Sequence, residues 1–191
     1  MIKAIIFDCF GVLTTDIWLV FCEGLPATAD INRARELNRA FDAGLLTHDE
    51  FFDQVEEATG KRPPDIDQMT STEIIKNEEL MTYIRALHGT YKLGILSNIF
   101  TDWLTREFLT ADEQALFDDI LLSYEVKLIK PDHRIFVLAY ERLGVEPHEA
   151  VMIDDRPDFV EAARSTGMHG ITFTDVASLK ADLTALLNTN Q

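Results

Sequence analysis

Ile2-Lys3-Ala4-Ile5-Ile6-Phe7-Asp8-Cys9-Phe10-Gly11-Val12 is the stretch whose reading decides the fold. Ile2 to Phe7 is apolar apart from Lys3 and rich in β-branched residues, the composition of a buried strand. Asp8 then stands at the carboxyl end of that strand, where open α/β sheets gather their ligands. Gly11, three residues on, lets the backbone turn sharply out of the sheet. Taken alone, such an Asp is more often a cap for the next turn. Three later segments change that reading.

Working outward, strands and helices alternate from about Glu78. Leu80, Ile84 and Leu87 share a helical face that stops at Gly89. Tyr91 to Leu96 predicts a strand ending at Ser97-Asn98, followed by helical residues to about Ala115 and a short strand at Ile120–Leu122. Asp132 starts a helix through Ile135, Phe136, Ala139 and Leu143, closed by Gly144. Ala150 to Ile153 is the next strand and runs into Asp154-Asp155. A helix from Pro157 to Ser165, a weak strand near Ile171 and a last helix carrying Leu179, Leu183 and Leu186 complete the pattern. Such alternation implies a parallel sheet with right-handed crossovers, a doubly wound, Rossmann-like α/β core over residues 1–13 and 77–191.

Residues 14–76 differ in character and predict an inserted helical cap. Asp30 is expected to cap a helix bearing Ile31, Ala34, Leu37 and Phe41, stopped by Gly44. Thr47-His48-Asp49-Glu50 is a capping box for a second helix, with Phe51, Val55 and Ala58 on one side and Gly60 at its end. Lys61-Arg62-Pro63-Pro64 breaks the pattern before a short helix near Ser71 to Lys76.

Composition bounds the function. Of 191 residues, 33 are acidic and 17 are Lys or Arg, a net charge of −16 that argues against binding nucleic acid or an anionic membrane. No run reaches the roughly 18 apolar residues of a membrane span, and the first residues lack a secretory signal pattern. Cys9 and Cys22 lie in unrelated contexts. A cytoplasmic protein with reduced thiols is expected.

Asp8, Ser97-Asn98 and Asp154-Asp155 end three strands, so a parallel sheet brings them to one edge. Lys130, at the start of the Asp132 helix, adds a cation on the same side. A carboxylate nucleophile, a hydroxyl and amide pair, a lysine and an acidic pair are what displacement at phosphorus requires. Mg²⁺ prefers oxygen ligands and keeps several waters, so two carboxylates and a backbone carbonyl suffice. The remaining donors would neutralise the charge that spreads over the phosphoryl oxygens.

Together, Phe-Asp-x-x-Gly-Val, Leu-Ser-Asn, Lys-Pro-Asp and the strand-terminal Asp-Asp resemble the four motifs of the haloacid dehalogenase-like hydrolases, in order, from Ile2 to about Ala163. The section of that family with a helical cap inserted just after the first motif is the most similar. The resemblance implies Asp8 as the nucleophile that forms an aspartyl-phosphate. It implies Ser97 and Asn98 as phosphoryl ligands and Lys130 as the residue pinning nucleophile and phosphate. Mg²⁺ would then be held by Asp8, the carbonyl of Phe10, Asp154 and Asp155. The implied substrate is a small phosphorylated metabolite.

Phe10 departs from the pattern. Phosphatases of the family carry a second Asp there, which protonates the leaving group and then activates water. Such acid–base catalysis is worth roughly 10²–10⁴-fold, or about 3–5 kcal/mol. Three readings stay open: a phosphatase that takes its proton elsewhere or uses good leaving groups, a 2-haloacid dehalogenase-like hydrolase, and a binding or regulatory module without catalysis. Haloacid dehalogenases carry Tyr at this place but replace the acidic pair, which is intact here. On the phosphatase reading a long-lived phospho-enzyme is expected.

Several neighbours read as structural. Arg156 is expected to pair locally, His133 to be solvated, and Cys9 to point away from Asp8 by strand alternation. Trp18, Phe21, Phe51 and Phe52 are expected to pack the cap, any that face the cleft selecting the leaving group.

Overall fold

A computed structural model describes residues 1–69 and 74–189. Five parallel strands form one sheet: β1 (Ala4–Phe7), β2 (Lys92–Ser97), β3 (Asp119–Leu122), β4 (Ala150–Asp154) and β5 (His169–Thr172), in the order β3-β2-β1-β4-β5. Alternate residues of the central strands feed two separate cores. Ile5, Phe7, Leu93, Ile95, Val151 and Ile153 pack on one face, and Ala4, Ile6, Leu96 and Met152 on the other. Burial on both faces is why these strands read as continuous apolar runs.

The strand order places a switch point beside β1. From it the chain steps out to β2 and β3, then returns to the other side as β4 and β5. Ligands of doubly wound sheets bind at such a point, outside the carboxyl ends of the strands. Asp8 follows β1, and Asp154 ends β4.

Helices α1 (Ile17–Glu23), α2 (Thr28–Asp42) and α3 (His48–Thr59) and a 3₁₀ turn (Ile66–Gln68) lie between β1 and α4 (Glu78–Leu87). The Thr47 capping box at α3 is present, and Gly60 closes that helix with φ +71°. Phe41, Phe51, Phe52, Leu37 and Val55 form the interior between α2 and α3. The chain leaves and re-enters the core side by side. Thr14 bridges Lys76, the Asn77 amide donates to the Leu13 carbonyl, and Asn77 Nδ2 donates to the Val12 carbonyl.

Three expectations need correction. Helix α2 begins at Thr28 after Ala27, so Asp30 lies in its first turn and not at the cap; an acid is favoured there by the helix dipole just as at a cap. The helix expected over Ser71–Lys76 falls largely outside the described residues. Its described end is not helical: Lys76 is drawn into the bridge with Thr14. Between β2 and β3 the expected helix is broken into a π-type turn (Leu104–Phe108) and α5 (Ala111–Gln114), because Thr110 and Glu113 restart it with a capping box. The remaining helices are α6 (Ser123–Val126), α7 (His133–Arg142), α8 (Pro157–Ser165) and α9 (Val176–Thr189).

Candidate active site

The site grows from the ends of β1, β2 and β4. Asp8 is buried; its amide donates to the Ile153 carbonyl at 2.9 Å, and its Oδ1 accepts from the Cys9 amide at 2.6 Å. Lys130, 1% exposed, places its Nζ 2.8 Å from Asp8 Oδ1 and 2.6 Å from Asp154 Oδ2. Asp154 is used twice, since its other oxygen accepts from the Arg156 amide at 3.0 Å. Asp155 completes the group: carboxylate oxygens of Asp8, Asp154 and Asp155 lie within 4.8 Å of one another.

One buried lysine therefore pairs with two buried carboxyls, and a third carboxyl lies beside them. Burial pushes the Asp8 carboxyl well above the usual range, and Asp154 beside it adds to this against the pull of Lys130. Burial and then Asp154 push Asp155 up to about 6. Burial acts to lower Lys130, but Asp154 and Asp8 outweigh it and hold the ammonium above its ordinary value. Close carboxylates of like charge resist ionising together. A hard divalent cation resolves that conflict, and all-oxygen donors suit Mg²⁺. Glycine at residue 11 is what lets the loop approach Asp155. Gly11 sits at φ +84°, and a Cβ there would lie 2.5 Å from the Asp155 carboxyl carbon.

Two residues expected to act as a pair differ in geometry. Asn98 Oδ1 accepts from the Lys130 amide at 2.8 Å, and its Nδ2 donates to the Lys130 carbonyl at 3.1 Å. Its amide is spent on fixing the lysine loop, although the residue lines the cavity. Ser97 is fully buried, and its Oγ is the buried side-chain polar atom without a partner among the described residues. Leaving such a group unpaired costs about 1–3 kcal/mol. Since Phe7 pairs with Ile95 in the sheet, Ser97 stands one residue beyond the level of Asp8.

The neighbours behave as expected. Cys9 is fully buried in the main core, and burial pushes its thiol up. Arg156 pairs with Asp158 at 2.6 Å and lies 3.9 Å over the Phe159 ring. His133 is exposed. Phe10 stacks on Trp103, ring centroids 6.1 Å apart.

Above these groups lies a cavity of about 290 Å³. Its floor is Asp8, Phe10, Asn98, Lys130 and Asp155, and its roof comes from α1, α2 and α3. Trp18 and Phe51 are the packing aromatics that face it; Phe21 and Phe52 do not line it. Sequence reasoning missed Asp16, Arg39, Asp42 and Phe100, which also line it. Of these, Asp42 left a signal: it is a carboxylate in the last turn of a helix, where the dipole disfavours one.

The model of the haloacid dehalogenase-like hydrolase family matches residues 2–167, so the chain belongs to that family. A glyceraldehyde 3-phosphate phosphatase of Methanothermobacter thermautotrophicus is 27% identical over 90% of this chain and 85% of its own length. The chain spans only a small part of some curated relatives: against the Mus musculus acyl-CoA dehydrogenase family member 10, 32% identical, the match covers 62% of this chain but 11% of the relative. Among solved structures, a HAD-like family hydrolase from Porphyromonas gingivalis superposes with a TM-score of 0.71 at 25% identity, covering 98% of each chain. The fold is shared with a Bacteroides thetaiotaomicron enzyme solved with magnesium and inorganic phosphate (TM-score 0.63, 21% identity, 94% and 99% covered). It is also shared with a 2-haloacid dehalogenase from Pseudomonas syringae pv. Tomato (0.61, 21%, 91% and 86%). Among the described residues, no helix is long and apolar enough to cross a membrane.

Proposed function

We propose that this chain is a Mg²⁺-dependent phosphohydrolase acting on a small phosphorylated metabolite through an aspartyl-phosphate on Asp8. The observation that carries the reading is the buried Lys130, shared by Asp8 and Asp154 with Asp155 beside them at the sheet's switch point. A phosphatase relative and a fold neighbour that binds magnesium and phosphate support it.

Asp8, Asp155 and the backbone carbonyl of Phe10 would hold the metal; Asp154, expected as a further ligand, has its two oxygens on Lys130 Nζ and the Arg156 amide and braces the lysine instead. When bound, Mg²⁺ offsets the charge of the carboxylates and of the phosphoryl oxygens. Asp8 attacks phosphorus in line with the leaving group. Lys130 keeps the Asp8 carboxylate oriented and meets the charge that develops on phosphoryl oxygens. The unpartnered Ser97 hydroxyl is the donor held in reserve for such an oxygen. Residues 14–76 act as a cap whose helices exclude water and present Trp18 and Phe51 to the leaving group. Phe10 offers neither a proton nor a base, so each half of the cycle has to draw its proton transfer from another group, and hydrolysis of the aspartyl-phosphate is the slower half.

The test is phosphate release from acetyl phosphate by wild type, with and without Mg²⁺, and by Asp8→Asn. The expected result is Mg²⁺-dependent turnover that Asp8→Asn abolishes. No turnover, together with chloride release from a 2-haloacid, would assign the dehalogenase chemistry that an aromatic residue at position 10 also permits. No release of either kind would leave a binding module.

A further inference from the structure

With a phenyl ring at position 10, the proton for a poor leaving group has to come from elsewhere in the cavity; this inference rests on the phosphohydrolase reading. Four carboxyl side chains are buried among the described residues: Asp8, Asp42, Glu113 and Asp154. Asp8 and Asp154 share Lys130, and Glu113 pairs with Lys76 at 2.6 Å. Asp42 has no ion-pair partner among the described residues; what it has is an amide, Asn38 Nδ2, donating to its Oδ2 at 2.9 Å.

Its placement is specific. Asp42 is the last residue of α2, where free carbonyls disfavour a carboxylate. It lines the same cavity as Asp8, Phe10 and Lys130. Ser123, at the end of β3, donates to the Asp42 carbonyl at 3.2 Å, which ties this turn of the cap to the core. Asn38 steadies one carboxyl oxygen, and no donor among the described residues takes the other.

Charge reinforces the geometry. Besides Asp42, the charged groups around the cavity are Asp8, Asp16, Arg39, Lys130, Asp155, Arg156 and Asp158. Burial first and then Asp16 push Asp42 up to about 7, against the pull of Asn38 and Lys130. A group balanced near neutral pH serves both as acid and as base. Asp16 also lines the cavity but is committed as the N-cap of α1, its Oδ1 accepting from the Leu19 amide at 2.9 Å.

We infer that Asp42, on the cap helix, is the proton donor to the leaving-group oxygen in place of the acid missing at position 10. As the bond from Asp8 to phosphorus forms and the bond to the leaving oxygen breaks, that oxygen takes the Asp42 proton. Asp42 is left as the carboxylate. In the second half a water attacks phosphorus and gives its proton to Asp42. The Asp8–phosphorus bond breaks, returning Asp8 as carboxylate, Asp42 as acid and free phosphate.

The experiment follows phospho-enzyme formation and clearance by quenched intact-mass measurement, in wild type and Asp42→Asn with Mg²⁺, using acetyl phosphate and ethyl phosphate. Acetate leaves without a proton, so from acetyl phosphate the variant should form phospho-enzyme within about threefold of the wild-type rate and clear it at least about tenfold more slowly. From ethyl phosphate, formation should slow by about 100-fold or more. The acetyl phosphate arm doubles as the check that the variant is folded and its site intact. Equal slowing from both donors, unchanged formation from ethyl phosphate, unchanged clearance, or a wild type that reacts with acetyl phosphate alone would each overturn the assignment. A wild type that forms no phospho-enzyme from either donor overturns the phosphohydrolase reading itself, and this role with it.

Discussion

Asn98 and Lys130 are joined by two hydrogen bonds that run from one side-chain amide to the backbone amide and carbonyl of the other residue, at 2.8 and 3.1 Å. The strand end at β2 thereby fixes the loop that delivers the one buried ammonium of the site. Asn98 is 32 residues from Lys130 in sequence, yet it sets where Nζ can go. Asn98→Ala should release that loop. A misplaced catalytic group costs about 100-fold, so kcat on acetyl phosphate should fall by that order, with about 1–3 kcal/mol of stability lost. Asn98→Asp should fare no better, because it keeps the acceptor for the amide but turns a carboxylate toward the Lys130 carbonyl. Steady-state kinetics beside a thermal melt decide it; a kcat within twofold of wild type would remove Asn98 from the positioning role.

Metal binding should be visible without turnover. Three carboxyls lie within 4.8 Å of one another and only two of them pair with the lysine, so a bound divalent cation would stabilise the native state alone. At a hundredfold excess over Kd that amounts to about 2.7 kcal/mol, or roughly 5–11 °C in Tm for a chain of this size. Asp155→Asn should lose most of the shift. The shift should also grow between pH 5 and pH 8, since Asp155, pushed up to about 6, must ionise to bind. Differential scanning fluorimetry with and without Mg²⁺ checks both.

Gly11→Ala strikes the same centre through the backbone. The φ of +84° disfavours any L side chain, and the added methyl would lie 2.5 Å from the Asp155 carboxyl. Strain at such a position costs about 1–2 kcal/mol. The larger effect should be displacement of Asp155 and loss of the Mg²⁺-induced shift. An alanine variant that keeps the full shift would show that Asp155 does not need this approach.

The parts of the fold and site legible in sequence are those that strand ends dictate. Asp8, Lys130, Asp154 and Asp155 were readable because a parallel sheet sends every strand's carboxyl end to one edge, and the structure brings them together. What Ser97 and Asn98 each do was not readable, since both sit at a strand end and only tertiary contact shows that one amide is spent on Lys130 while the neighbouring hydroxyl is left unpaired. The cap is harder still. Periodicity finds the faces of α2 and α3, but which residues look down into the cavity depends on how the helices sit on the core. Trp18 and Phe21 are three residues apart on α1, and Trp18 alone lines the cavity. Asp42 shows the same limit from the other side: its place against the helix dipole is visible in sequence, its burial beside the site is not.

Asp42 also carries a prediction about stability, and its sign follows from linkage. The native state holds this carboxyl protonated up to about pH 7, whereas the unfolded chain releases the proton near 3.9. Between those values the native state binds more protons, so stability falls as pH rises. Below about pH 4 both states are protonated and the group is silent. Asp42→Asn removes this penalty while keeping a side chain of nearly the same shape next to Asn38. The variant should therefore match wild type near pH 4 and melt progressively higher than wild type from pH 5 to pH 8, by several degrees at about 2–4 °C per kcal/mol. Melts in metal-free buffer across that range separate this from an effect of Mg²⁺. A difference that is constant with pH would mean that Asp42 ionises as freely in the native state as in the unfolded chain, and one that falls as pH rises that it ionises more readily there.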